Sequence, residues 1–296
     1  MKRKIYITLI GGLGNQLFQY SCAYNLAKKL KANLIIDDRS GFFFDTKFKR
    51  NISLPKNLSY QKANILQITL LLILRILKKI FFKKNIFIST NKFIFIDETN
   101  TKRFIKNFYN LVKNKNSIYL LGFFQSEKYF LETKNEILKK ILTNKIYSKD
   151  LKLLKKIINK KSLMIGIRMF EEAPTKIMKQ FGGIENFNFY LDKIKIIKKK
   201  ISIKKKFIFS TMSINLINKK LDVPKKFIIN KENGFKGDDM DYLILISNFK
   251  NYIISNSTFY YWGALLSEFK NKKINIICSK KFTNSDAVSK KWKTLN

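Results

Sequence analysis

Residues able to hold an anion stand in three places along this chain. The first is Ser255-Asn256-Ser257-Thr258-Phe259, which follows a short apolar run at 252–254 and leads into an aromatic-rich stretch. A strand that ends in small hydroxyl and amide residues at a helix start offers backbone N–H groups, a positive dipole end and hydroxyl donors. That chemistry suits the phosphates of a nucleotide-activated substrate, and the same arrangement also serves as an ordinary capped helix start. The second place is Arg168, the one charge presented at the end of the apolar run 163–167. Its guanidinium fork matches a phosphate bidentately. Glu171 and Glu172 follow, as candidate bases or as ion-pair partners of the arginine. The third is Gly11-Gly12-Leu13-Gly14-Asn15-Gln16. The glycines permit a tight turn and a close approach to the backbone. Asn15 and Gln16 put two amides at the start of the next helix, aimed at ligand oxygens or, for Asn15, capping that helix. Leu17 stands where a nicotinamide dinucleotide fingerprint needs its third glycine.

These residues need strands and helices to position them. An apolar strand at 4–10, a helix to about 30 and a strand at 33–36 make a βαβ opening. In the second half, strands at 162–168, 207–210, 227–229, 252–254 and 274–278 alternate with helices at 187–200, 214–220 and 240–248 and one beginning at Ser257. Such alternation predicts a parallel sheet covered on both faces, with ligands beyond the carboxyl ends of the strands. Arg168, Ser210 and Ser257 are therefore expected at one crevice. A basic helical stretch at 148–161 is the expected seam between domains 1–160 and 161–296. Residues 118–121 read as a strand that enters Gly122-Phe123-Phe124-Gln125-Ser126-Glu127-Lys128-Tyr129-Phe130, which opens another helix. Residues 52–95 read as helices with variable loops. The longest apolar run, 65–74, is about half a membrane span and is followed by Arg75, Lys78 and Lys79. It is either an interfacial amphipathic helix or one packed within its domain.

Composition limits the function classes. With 296 residues and 46% apolar content, the chain can build one large or two ordinary domains. Sixty Lys and Arg against 20 Asp and Glu give a formal charge of +40. Inflated Lys, Ile, Asn and Phe also match an AT-rich genome. The lysine runs lack interleaved aromatic platforms, so nucleic acid is not expected as a partner. As a partner reading of the charge, beside genome bias, peripheral contact with an anionic membrane is better than nucleic acid. No histidine is present, which removes Ser-His-Asp and Cys-His catalysis. Cys22 and Cys278 give neither a disulfide framework nor metal spacing, and they imply a reducing cytoplasm. The N-terminus lacks the length and cleavage site of a signal peptide. No Asp-x-Asp pair stands beside the expected anion site: Asp37-Asp38 and Asp238-Asp239 are adjacent pairs, and Asp239 and Asp241 suit helix capping. No metal is expected.

Three stretches together resemble the bacterial α-1,2-fucosyltransferases, glycosyltransferase family eleven. They are Gly-Gly-Leu-Gly-Asn-Gln-Leu-Phe-Gln-Tyr at 11–20, Gly-Phe-Phe-Gln-Ser-Glu-Lys-Tyr-Phe at 122–130, and Asn-Ser-Thr-Phe-Tyr-Tyr-Trp-Gly-Ala at 256–264. They stand in that family's order and spacing, and the similarity spans almost the whole chain. One departure concerns the His-x-Arg-Arg-x-Asp of many members. The matching stretch here is Gly166-Ile167-Arg168-Met169-Phe170-Glu171, which keeps only the first arginine.

The resemblance implies a GT-B-like α/β fold of two Rossmann-like domains facing a central cleft. The N-terminal domain would take the acceptor and the C-terminal one the GDP-sugar. The donor would be GDP-β-L-fucose, and the reaction an inverting transfer to the 2-hydroxyl of a galactose-containing glycan, without metal, in surface polysaccharide synthesis. Arg168 would pair with the β-phosphate. Asn256, Ser257, Thr258, Phe259 and Ser210 would line the donor site, with Gly12, Gly14, Asn15 and Gln16 at the opposite lip. Glu171 is the expected base, with Glu172, Asp37, Asp38 and Asp45 as alternatives. Use of another GDP-sugar, or a homologue that binds without turnover, are the competing readings.

Overall fold

Residues 4–8 and 33–37 are nearly continuous apolar runs, and all but the first side chain of each is buried. Strands buried on both faces belong in a parallel sheet, and Lys4–Thr8 (β1) pairs in parallel with Asn33–Asp37 (β2). Between them runs Leu13–Leu30 (α1), buried around most of its circumference. It ends at Lys31, whose left-handed backbone (φ 50°) lets its N–H reach the Ala27 and Lys28 carbonyls. Chain order then gives Gln61–Lys62 (β3), Ile65–Phe81 (α2), Phe87–Ser89 (β4), Phe93–Asp97 (β5), Phe108–Val112 (α3), Ser117–Leu121 (β6) and Lys134–Leu142 (α4). The first sheet has the order β3-β2-β1-β6-β5-β4. Among the described residues only β4 runs antiparallel to its neighbour.

The computed structural model describes residues 2–43, 45–46, 48–81, 86–101, 103–168, 184–210, 213–282, 284, 286–289 and 291–294. The chain divides into two compact units, Met1–Ile141 and Leu142–Asn296. The second contains Lys149–Ile157 (α5), Ser162–Gly166 (β7), Phe187–Lys198 (α6), Lys205–Phe209 (β8), Ile214–Leu221 (α7), Ile228–Ile229 (β9), Asp239–Ile246 (α8), Asn251–Ile254 (β10), Thr258–Lys270 (α9), Asn275–Cys278 (β11) and Lys293–Thr294 (β12). Its sheet order is β12-β11-β10-β7-β8-β9, parallel throughout. Leu163, Ile165, Tyr190, Ile208 and Ile253 sit at 0% exposure in its core. On the other side, Tyr261, Trp262, Leu265 and Leu266 of α9 are also fully buried. Each large apolar side chain removed from water contributes about 1.5–3 kcal/mol relative to exposure.

The expected α/β class, with one Rossmann-like sheet per half, is what the structure shows. Three details differ from the sequence reading. The division falls at 141–142 rather than at 160–161. Helix α5 goes with the second unit because the Asp241 carboxylate of α8 accepts the Tyr147 and Ser148 N–H groups at 2.6 and 3.0 Å, and Leu151 is fully buried. Residues 122–126 open no helix. Phe124 takes a left-handed φ of 49°, and only a short 3₁₀ turn, Glu127–Tyr129, precedes α4. The stretch 52–95 contains strands as well as a helix, and α2 buries only Ile68, Leu71 and Lys78.

Candidate functional site

β10, β7 and β8 lie side by side, with Gly166 level with Ile254 on one flank and Phe209 on the other. Their chains therefore leave the sheet at one height, and Arg168, Ser210 and 255–258 emerge together at its carboxyl edge. Two cross-links hold the exit: Ser255 N–H donates to the Gly166 carbonyl (3.2 Å), and Ile167 N–H donates to the Phe209 carbonyl (2.9 Å). The Arg168 guanidinium donates through Nη1 to the Asn256 carbonyl at 3.0 Å. This fixes the cation against the loop that enters α9.

The loop itself is tight. Ser257 N–H donates to the Ser255 carbonyl at 2.7 Å, and the Asn256 side-chain amide donates to the Lys281 carbonyl at 3.1 Å. Ser257 occupies the N-cap position with extended backbone, yet its hydroxyl makes no capping bond. The plain-cap reading of Ser257 thus fails. The first-turn N–H groups of α9, Phe259 among them, lack intrahelical acceptors, as in every helix start, and the dipole end favours negative charge there.

Tyr260 supports this edge from below. Its hydroxyl reaches the Phe209 and Ile167 carbonyls at 2.8 and 3.2 Å. Its ring covers Gly166 so closely that a Cβ there would lie 2.4 Å from Cδ2. No side chain fits at 166 unless Tyr260 moves. Burial raises the Tyr260 phenol above its ordinary range, with Tyr190 adding to the rise and the Arg168 charge opposing it. Tyr190 of α6 is raised by burial too, while the Ser255 hydroxyl and the Arg168 backbone draw it back. One residue here escaped the sequence reading. Glu185, 7% exposed, accepts from the Ser279 hydroxyl at 2.5 Å and pairs with Lys281 at 3.2 Å. The only hint was a lone carboxylate beside Asn186, whose side chain caps α6. Glu171 and Glu172 lie outside the described residues.

In the first unit, the carboxyl ends of β1, β2, β6 and β5 build a second cluster. Gly11 turns at φ +77°, where L-residues are strained. Gly12 has ordinary φ and is the N-cap of α1. The nearest atom to a Cβ placed on Gly12 is Arg50 Nε, 4.0 Å away, so this glycine leaves space beside a guanidinium. Gly14 is buried in the first turn of α1. Asn15 does not cap the helix; it lies within α1, and its Oδ1 accepts from the Gln125 amide at 3.0 Å. Gln16 is fully buried. Its amide donates to the Gly11 and Asn51 carbonyls (both 2.9 Å) and accepts from Ser53 N–H (2.8 Å). It fastens a loop rather than facing a ligand.

Two further residues went unread in the sequence. Gln19 accepts from Ile10 N–H and donates to the Ile10 and Gly122 carbonyls at 3.1 and 3.0 Å. The Glu98 carboxylate accepts the Phe123 and Phe124 N–H groups, both at 2.9 Å. Burial pushes Glu98 up to about 7, against the downward pull of the Phe124 and then the Phe123 N–H groups. The signal for Gln19 was a polar residue inside an apolar stretch, and for Glu98 a second carboxylate just past the apolar run 93–96. Of the alternative bases, Asp37 is fully buried and accepts from Thr8, Arg39 and Ser40. Asp38 pairs with Lys62 at 2.9 Å. Asp45 lies 3.6 Å from Arg50.

The family model described as "Glycosyl transferase family 11" matches residues 4–296. The chain is 28% identical over 274 residues to an alpha-1,2-colitosyltransferase of Escherichia coli, covering 88% of this chain and 87% of that one. It is also 28% identical over 284 residues to the O-antigen biosynthesis glycosyltransferase WbnK of Escherichia coli, covering 90% and 92%. Among solved structures, the fucosyltransferase NodZ from Bradyrhizobium aligns at a TM-score of 0.49 with 12% identity, over 90% of this chain and 93% of that one.

Proposed function

The chain belongs to glycosyl transferase family 11, and on that premise we propose that it is an inverting transferase taking L-fucose from GDP-β-L-fucose to the 2-hydroxyl of a galactose-containing glycan. The observation that carries this reading is the Arg168 guanidinium held on the Asn256 carbonyl at the mouth of α9. In this reaction the acceptor oxygen bonds to the anomeric carbon on the face opposite the leaving group. The bond from that carbon to the β-phosphate oxygen breaks with its electron pair, and GDP departs. The charge developing on the diphosphate meets Arg168, the Ser257 and Thr258 hydroxyls and the first N–H groups of α9, donors already in place before the reaction. Such donors can neutralise a diphosphate without a metal ion, so turnover in excess chelator is the expected behaviour. Ser210, level with Ser255 across the sheet, and Asn256 and Phe259 complete the donor side. Gly12, Gly14 and Asn15 with its partner Gln125 form the acceptor side, and Gln16 positions their loop. Glu171 is the proposed base, receiving the acceptor proton.

A second reading rests on the relative named a colitosyltransferase: the same site transferring colitose rather than fucose. The involvement of the other relative in O-antigen biosynthesis supports a surface polysaccharide as acceptor. Cys22 and Cys278 are free and buried, which fits work in a reducing cytoplasm. One assay separates the readings. Purified protein is offered GDP-fucose, GDP-mannose, UDP-galactose and the nucleotide-activated colitose with one galactoside, with and without EDTA. Product from GDP-fucose alone, unaffected by chelator, supports the proposal; product from another donor only overturns it.

A further inference from the structure

Helix α2 is written inside out. Its two half-buried or buried cations face the protein: Lys78 pairs with Asp97 at 2.9 Å, and Arg75 Nη1 reaches the Ser40 hydroxyl and carbonyl at 3.3 and 3.4 Å. Its outer side carries Leu66, Leu70, Ile73, Leu77 and Ile80, spaced four and three residues apart, so they form one continuous stripe. Ile65, Ile76 and Phe81 widen it, and Leu66 and Phe81 are 77% and 69% exposed. A helix facing water normally shows the opposite pattern, with apolar residues inward and charges outward. An exposed apolar strip of this length marks a surface that is covered in use.

The charge on the page selects what covers it. The chain carries +40, and Lys79 in the last turn of the helix is exposed. A second copy would bring an equal positive charge against the first. The stripe is bordered by Thr69, Ile65 and Ile76, without the charged flanks that set pairing in a coiled coil. An anionic bilayer satisfies both features: its acyl boundary takes the apolar stripe and its headgroups take the positive charge. Among the described residues no helix is long and apolar enough to cross a membrane, so α2 would lie in the interface plane, about 25 Å long at 1.5 Å per residue. We propose that α2 is a membrane-surface anchor that seats this protein on an anionic lipid bilayer. This inference does not depend on which sugar is transferred.

The test is flotation of the full-length protein with two kinds of vesicle, phosphatidylcholine alone and phosphatidylcholine with phosphatidylglycerol. Leu70→Gln/Ile73→Gln/Leu77→Gln is compared with the unsubstituted chain, with Ile76→Glu as an independent single variant. Circular dichroism checks the fold, and light scattering the oligomeric state. The expected result is flotation with the anionic vesicles, weakened at least tenfold by the triple variant and reduced by the single one, with monomers throughout. Three outcomes overturn the proposal. The unsubstituted chain stays with neither vesicle; folded variants float as well as it does, which would make charge alone the cause; or the chain is a dimer that the triple variant splits.

Discussion

Arg168 stands on a backbone carbonyl, and that placement makes a sharp expectation about its removal. Losing one preorganised donor aimed at developing charge lowers turnover by about 10²–10³-fold. Arg168→Ala is expected to fall at least that far in kcat with GDP-fucose while its circular dichroism spectrum stays unchanged. Arg168→Lys keeps the charge without the planar fork and is expected to recover part of the loss. Glu98 makes a different prediction, about stability. Its folded value of about 7 lies above its ordinary 4.5 because burial disfavours the charged form. A carboxyl raised in this way favours the fold at pH below about 4.5 and loses that contribution as pH rises through about 7. Glu98→Gln keeps an acceptor for the Phe123 and Phe124 N–H groups and cannot ionise. The unfolding free energy of the unsubstituted chain, measured in urea relative to this variant, is expected to fall between pH 5 and pH 7.

At the level of elements, the carboxyl edge of the second sheet works because Tyr260, from α9, is pressed onto β7 at Gly166 and tied to the exits of β7 and β8. Gly166→Ala forces that ring aside and is expected to cost about 1–3 kcal/mol, the usual price of overpacking, read as a lower urea midpoint with unchanged slope. Tyr260→Phe removes the one O–H donor shared between the Phe209 and Ile167 carbonyls, an expected loss of about 1–3 kcal/mol. This edge was legible in the sequence. β7, β8 and β10 are short apolar runs that each end in a polar residue, and the parallel-sheet rule sends those residues to one place. The stretch 52–95 was not legible, for a physical reason. α2 is apolar on both sides, so its periodicity could not say which side faces the core, and β3 and β4 span only Gln61–Lys62 and Phe87–Ser89, too short to alternate visibly. Residues 122–126 misled because their turn depends on the distant Glu98 carboxylate, which no local propensity encodes.

For the whole molecule, the chain's two units each present a cluster at the carboxyl ends of a parallel sheet, and the two clusters differ in kind. The second unit's offers a cation and a helix start; the first unit's offers amides, Arg50 and a space at Gly12. The sequence pointed to Arg168, Ser210, Asn256, Ser257 and Thr258 as one group, and the sheet register brings them to one edge. It read Gln16 as facing a ligand, whereas the structure spends that amide on the 51–53 loop, since a buried amide and a solvent-facing one look alike in a one-dimensional string. The proposed transfer is tested most directly by the product of one reaction. GDP-fucose and a β-galactoside are incubated with the unsubstituted chain and with Arg168→Ala, in EDTA, and the product is read by proton NMR. The account predicts α-linked fucose on the galactose 2-oxygen from the first and almost none from the second. A β-linked product, or equal product from both proteins, would contradict it.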